Sequence, residues 1–267
     1  LPQGASKQAL ILSLSALKER HEKEKPPLFL FVFSDPEEQI PGVRQEKEFI
    51  EDTLGYAFKK LHAELLILTD PTPEELEATF KSEEYRNRFH WFHFAGNGTQ
   101  EGLHLKQGAF DLSKFLDIIH CQENLRIVVL NACFSDVISE LLTGLSVWAA
   151  IAIKGNLSDA AALKFSKLFY QDILNGKSIE EAFPPMEKLE EEVTDPHRSI
   201  SHMGKPEPSP IFLLFKSAWA SKLVEQWRLS DYRLQKPSAS ELALTRIEEA
   251  KKTRATFLDL GNCGLTE

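Results

Sequence analysis

Cysteine is scarce in this chain. Three in 267 residues (Cys121, Cys133 and Cys263) are too few and too scattered for a disulfide framework or a zinc site. No metal or other cofactor is therefore expected, and a reducing cytoplasm is the expected compartment. No apolar run approaches the ~20 residues that span a bilayer, so a membrane is not an expected partner. The chain opens on Leu1 and lacks the charged n-region and apolar core of a secretory signal. It reads as a piece of a longer or processed protein. Surplus positive charge is also missing: the formal net charge is −9, which argues against nucleic acid as the partner. Gly96-Asn97-Gly98 has the phosphate-cradling spacing of neither a dinucleotide fingerprint nor a P-loop, so a nucleotide-binding α/β domain finds little support. What is present suits one large globular domain with appendages, 42% hydrophobic and 27% charged.

Periodicity predicts alternating helices and strands. Residues 7–24 form an amphipathic helix stopped by Pro26-Pro27. Leu28–Phe33 is a continuous apolar run, as in a strand covered on both faces. A helix over 43–61 puts Phe49, Ile50, Leu54, Phe58 and Leu61 on one side, and Leu65–Leu68 is the next strand. Thr72-Pro73-Glu74-Glu75 carries the signature of a helix start: a capping hydroxyl, Pro at the first position and acidic residues in the first turn. Strands follow at Phe89–Ala95 and Arg126–Leu130, with a short helix over Leu112–Ile119 between them. Beyond them lie an apolar run at Val147–Ile153, a helix over Ser158–Asn175 and a second helix over 178–193. Residues 194–210 read as a surface loop and Ile211–Phe215 as the last strand. The fold class is α/β with a mainly parallel sheet.

The expected organisation is an N-terminal helix (1–27), a central domain (28–216), a helical linker (217–255) with helices over 217–229 and 239–252, and a distinct tail (256–267). In that tail Leu258-Asp259-Leu260-Gly261-Asn262-Cys263-Gly264-Leu265 fits L-x-L-x-x-C-x-L, the core of a leucine-rich repeat. An ordinary C-terminal strand gives the same short pattern. On the first reading the parent protein continues into a repeat array.

Two strand ends carry the chemistry. Phe92-His93-Phe94-Ala95-Gly96-Asn97-Gly98 and Ile127-Val128-Val129-Leu130-Asn131-Ala132-Cys133-Phe134-Ser135 are apolar runs that stop at small-residue turns. Side by side on a parallel sheet they place a thiol and a second polar group at one edge, as in an α/β cysteine hydrolase. A helix N-terminus after Cys133 would lower the thiol pKa, and the N–H groups of Gly98 and Cys133 could form an oxyanion hole. A buried structural cysteine is the competing reading.

Taken together, His93-Phe-Ala-Gly-Asn97-Gly98 and Asn-Ala-Cys133-Phe-Ser resemble the CHAT family of caspase-like peptidases. The resemblance covers about residues 28–215 and includes Gly155 to Ala161, Phe165, Phe169-Tyr170 and Gly176 to Phe183. It implies a caspase-like sheet flanked by helices on both faces. It also implies endopeptidase action on a protein or peptide by a Cys–His dyad, with Cys133 as nucleophile and a His between the two glycines. Asp159 matches a position that shapes the S1 pocket in several clan members and would favour a basic P1 residue. Its context equally suits a helix N-cap or first-turn Asp.

The chain departs from the family pattern at the decisive position, because residue 97 is Asn. An amide neither takes up nor releases a proton at neutral pH, and acid–base catalysis is worth roughly 10²–10⁴-fold. His93 lies four residues back, about 13 Å along a strand at ~3.3 Å per residue, and is expected to pack or hydrogen-bond within the fold. His90, His104 and His120 have only proximity in sequence to commend them, and His197 and His202 read as solvated loop residues. Three accounts of Asn97 stand open: a substitution in an active peptidase, a natural pseudopeptidase used as a binding or signalling module, or a site that recruits a distant base. The resemblance implies an effector module of a bacterial multidomain protein, held in check by its own leucine-rich-repeat region.

Overall fold

All seven residues of Leu28–Ser34 are buried. Successive side chains of a strand point to opposite faces, so both faces of this strand must be covered. Phe29, Phe31 and Phe33 enter one apolar cluster, while Leu28, Leu30 and Val32 enter another. This is β1 of a computed structural model that describes residues 26–229 apart from 62, 100–101, 134, 146, 156, 186–188 and 190–210. The segments expected over 7–24, 194–210, 239–252 and 256–267 lie outside the described residues.

The same division by parity runs through β3 (Phe89–Gly96), β7 (Ile127–Asn131) and β8 (Ala149–Lys154). With β2 (Glu64–Thr69) and β9 (Ile211–Lys216) these strands form a six-stranded sheet, in the order β2-β1-β3-β7-β8-β9. All its neighbouring pairs are parallel except β8 and β9. Half-buried β2 sits at one edge, as its mixed pattern of exposure requires. The Phe29-Phe31-Phe33 face is covered by α1 (Pro41–Leu61), α5 (Asp159–Leu174) and α6 (Ile179–Ala182), through Val43, Ile50, Leu54, Phe165, Phe169 and Ile179. The other face is covered by α2 (Pro73–Lys81), α3 (Leu112–His120) and α4 (Asp136–Thr143), through Leu76, Phe80, Phe115, Ile119, Ile138 and Leu142. The result is a three-layer α/β/α domain consistent with a caspase-like fold. No helix among the described residues is long and apolar enough to cross a membrane.

Local signals act where the sequence predicts. Thr72 caps α2 in a reciprocal capping box with Glu75, and Pro73 opens the helix. Ser158 caps α5 by accepting from the Ala161 N–H.

Three expectations change. The helix predicted over 178–193 is interrupted: α6 ends at Ala182, Leu189 is helical again, and 186–188 and 190–193 lie outside the described residues. Phe183 is extended ahead of Pro184-Pro185, which supply no N–H to continue a helix. Residues 217–229, expected to open a linker, fold back on the domain: after a 3₁₀ turn and α7 (Ser221–Gln226), Val224, Trp227 and Leu229 are buried in the first cluster. Third, the stretch between β3 and α3 holds a small antiparallel sheet of β4 (Gly98–Thr99), β5 (Gly102–Leu105) and β6 (Gly108–Asp111). Strands of two to four residues are too short to show a period, so the sequence gives no sign of them.

Phe31 lies at the centre of the first cluster, with ring centroids 5.5 Å from Tyr170 and 6.5 Å from Phe33. Phe31→Ala removes that ring from a fully buried site and is expected to cost about 3–5 kcal/mol. Urea unfolding of the two proteins, compared at unchanged m-value, checks it.

Candidate active site

Strands β3 and β7 are neighbours, with Ala95 opposite Asn131 in register. Continuing both strands by two residues on the same face brings position 97 beside position 133. Contact between the two turns depends on Gly98. A Cβ at that position would lie 2.8 Å from the Cys133 carbonyl oxygen and 3.0 Å from the Ala132 Cβ, closer than real side chains approach. Asn97 and Cys133 therefore line one cleft of about 390 Å³, together with Gly96, Asn131, Glu46 and Asp159. The cleft lies at the carboxyl ends of the parallel strands, beside the crevice where the chain turns from building one side of the sheet to building the other.

Cys133 is half-buried. Its sulfur accepts a hydrogen bond from the Leu157 N–H at 3.4 Å and lies 3.9 Å from the Leu157 carbonyl. The first contact favours the thiolate, and the second, in which the thiol donates, favours the neutral form. The turn that carries the thiol is pinned by Ser135. Its N–H donates to the Ile153 carbonyl, and its hydroxyl donates to the Leu130 carbonyl while accepting from the Ile153 N–H. Pairing of β7 with β8 stops at Val129 and Ile151, so Ser135 extends the join past the end of the ladder. Helix α4 begins at Asp136, three residues beyond the thiol.

The other predicted residues fall as follows. Asn97 is exposed, and its carbonyl accepts from the His104 N–H. That bond makes Gly98 and Leu103 a non-hydrogen-bonded pair, which turns the Gly98 N–H away from β5. Asp159 is the first residue of α5, with Ser158 as the cap. It lines the cleft where α1 meets α5 over Gly42, at which a Cβ would stand 2.9 Å from that of Asp159. Among the described residues no histidine lines the cleft. His90 is on β3, His104 on β5 and His120 in the last turn of α3. His197 and His202 lie outside the described residues.

His93 is fully buried and hydrogen-bonded within the fold, as expected. Its partners disclose a cluster that the sequence reading missed. An indole N–H can only donate, so the Tyr170 oxygen accepts from Trp91 Nε1 at 3.2 Å and turns its own proton to His93 Nδ1 at 2.9 Å. The imidazole hydrogen is then on Nε2, which lies 2.9 Å from Glu46 Oε1 in a close polar contact rather than an aligned hydrogen bond. Burial holds the Tyr170 phenol well above its ordinary pKa, so it stays a donor. Glu46, only 2% exposed, also receives Asn131 Nδ2 at 2.9 and 3.1 Å and the Ser166 hydroxyl. Asn131 Nδ2 reaches the Ala162 carbonyl and the Ser166 hydroxyl too, each at 3.2 Å, while its Oδ1 has no hydrogen-bond partner among the described residues. One sequence signal pointed to Glu46: it stands three residues after Val43 and four before Ile50, a charged residue on the apolar stripe of a helix.

An open α/β sheet with a thiol at one strand tip and a second polar tip beside it has the arrangement of a caspase-like module. The CHAT domain model matches residues 5–185, more than half of the chain, and the chain belongs to that family. The family is one of caspase-like, cysteine-peptidase-related modules. The match begins inside the segment read as a separate N-terminal helix. No curated protein matches the chain.

Tyr170→Phe deletes one hydroxyl and leaves two buried groups, the Trp91 N–H and His93 Nδ1, without that partner. The expected loss is about 2–4 kcal/mol, more than the net worth of an ordinary hydrogen bond. Chemical denaturation of the two forms measures it.

Proposed function

We propose that this domain is a CHAT-type cysteine endopeptidase module whose proton-transfer position is disabled in the chain as it stands. The single observation that supports this most is the shared cleft: Cys133 and residue 97 line it together, with Gly98 in contact distance of the Cys133 carbonyl. In this reading Cys133 attacks the scissile carbonyl of a protein or peptide. The N–H groups of Gly98 and Cys133 stabilise the oxyanion. The residue at 97 would take the thiol proton and hand it to the leaving amine, a role that an amide side chain cannot fill.

Asp159 contributes to the S1 pocket. Asp159 is the half-exposed carboxylate of the cleft lining, which among the described residues holds no lysine, arginine or histidine. That polarity suits a basic P1 side chain. A second groove of about 440 Å³ shares Gly42 and Asp159 with the cleft and runs between α1 and α5 past Gln45, Leu163 and Lys167, giving an extended peptide a path. The module acts in the cytoplasm as the effector part of a bacterial protein, governed by the leucine-rich-repeat region that begins at 256–267.

The absence of any histidine from the described cleft lining favours a second reading. Here the domain is a natural pseudopeptidase that binds a peptide or protein for signalling without cutting it.

Substitution at 97 separates the two. The Asn97 side chain is exposed, so Asn97→His is expected to fold with stability within about 0.5 kcal/mol of the parent. It is expected to cleave basic-P1 peptides about 10²–10⁴-fold faster than the parent, and Cys133→Ala in that background abolishes the gain. Tight peptide binding with no turnover in the Asn97→His variant selects the pseudopeptidase.

A further inference from the structure

We infer that Glu46 is a positioning residue for Cys133, acting from beneath the cleft through two linked routes. The inference rests on the reading of Cys133 as the reacting group. The first route is through Asn131. This residue ends β7 two positions before the thiol, and its amide is committed to both Glu46 oxygens, to the Ala162 carbonyl and to the Ser166 hydroxyl. The second is through Ser166 on α5, whose hydroxyl donates to Glu46 Oε1. The same helix starts at Asp159, two residues beyond Leu157, whose N–H meets the Cys133 sulfur. Glu46 itself belongs to α1. One carboxylate thus joins the helix on one side, the strand that carries the thiol, and the helix that follows the thiol's hydrogen-bond donor.

Every neighbour presents a donor to Glu46: the Asn131 amide, the Ser166 hydroxyl and the Nε2 side of His93. Two carboxylate oxygens can accept all of them, whereas a glutamine has one acceptor oxygen and adds an N–H₂ group that faces other donors. Glu46→Gln preserves size and shape but must push Asn131 or Ser166 away. Either displacement moves Cys133 relative to the Leu157 N–H and weakens the donor that favours its thiolate.

The test reads the thiol directly and needs no peptide turnover, so a failure of the peptidase reading does not touch it. In a chain carrying Cys121→Ser and Cys263→Ser, the rate of Cys133 alkylation by iodoacetamide is followed against pH. Glu46→Gln is expected to move the midpoint up by about half a pH unit, which lowers reactivity at pH 7 roughly threefold. Phe80→Ala, a destabilising change in the apolar cluster on the other face of the sheet, where its ring meets Phe89 and Phe92, serves as the control and leaves the midpoint in place.

A downward shift in Glu46→Gln, the sign expected if the carboxylate acted on the thiol through its charge alone, overturns the inference. So does an unchanged profile, or an equal upward shift in Phe80→Ala. If Glu46→Gln does not fold, Ser166→Ala removes one of the two routes and is expected to raise the midpoint by a smaller amount. No shift there overturns the inference as well.

Discussion

Taking a carboxylate out of water is costly, and the Glu46 side chain is almost wholly out of water. A single hydrogen bond does not offset that cost. The domain surrounds the group with donors from β7 and α5 and places the imidazole of β3 against it. Each of those elements must then stand where its donor reaches. The hydrophobic clusters bring the layers together, but apolar contacts tolerate sliding and rotation. The polar cluster does not, because a displaced donor leaves a buried charge under-compensated. The layer arrangement around the cleft follows from that requirement.

The cluster is built with a direction. Trp91 donates to Tyr170, Tyr170 to His93, and His93 turns its remaining nitrogen to Glu46. Each group has its role fixed by the one before it, starting from an indole that cannot accept. All of this lies on the Phe29-Phe31-Phe33 side of the sheet, because residues 91, 93, 129 and 131 share one strand parity. The parity that sends His93 inward also brings residues 97 and 133 to the same side once the strands end. A buried polar floor and an open rim are thus successive steps along the same two strands.

Much of the frame can be read from the chain. Apolar runs located the strands of the large sheet, and Thr72-Pro73 and Ser158 marked helix starts because capping is a local interaction. The two turns carrying Asn97 and Cys133 were legible because small residues ending a buried strand have few other uses. The pairing of Glu46 with Asn131 was not legible, since the two are 85 positions apart and no local period links them. Its one trace was a charge on an apolar helix stripe, which identifies a buried carboxylate but not its partners. The β4–β6 sheet escaped because its strands are shorter than a detectable repeat. The second helix after α5 reads as continuous because charged residues carry its pattern across Pro184-Pro185, where the backbone breaks.

Residue 97 is held through its backbone, while its side chain projects from the rim. Folding therefore places almost no demand on which side chain stands there. The groups beneath it are in the opposite position: altering Glu46, His93 or Tyr170 disturbs the core. On the proposed reading, a single substitution at this position changes the chemistry of the cleft while leaving the fold intact. The make-up of the rim and the integrity of the core can therefore vary independently, although His93 and residue 97 stand only four positions apart in the chain.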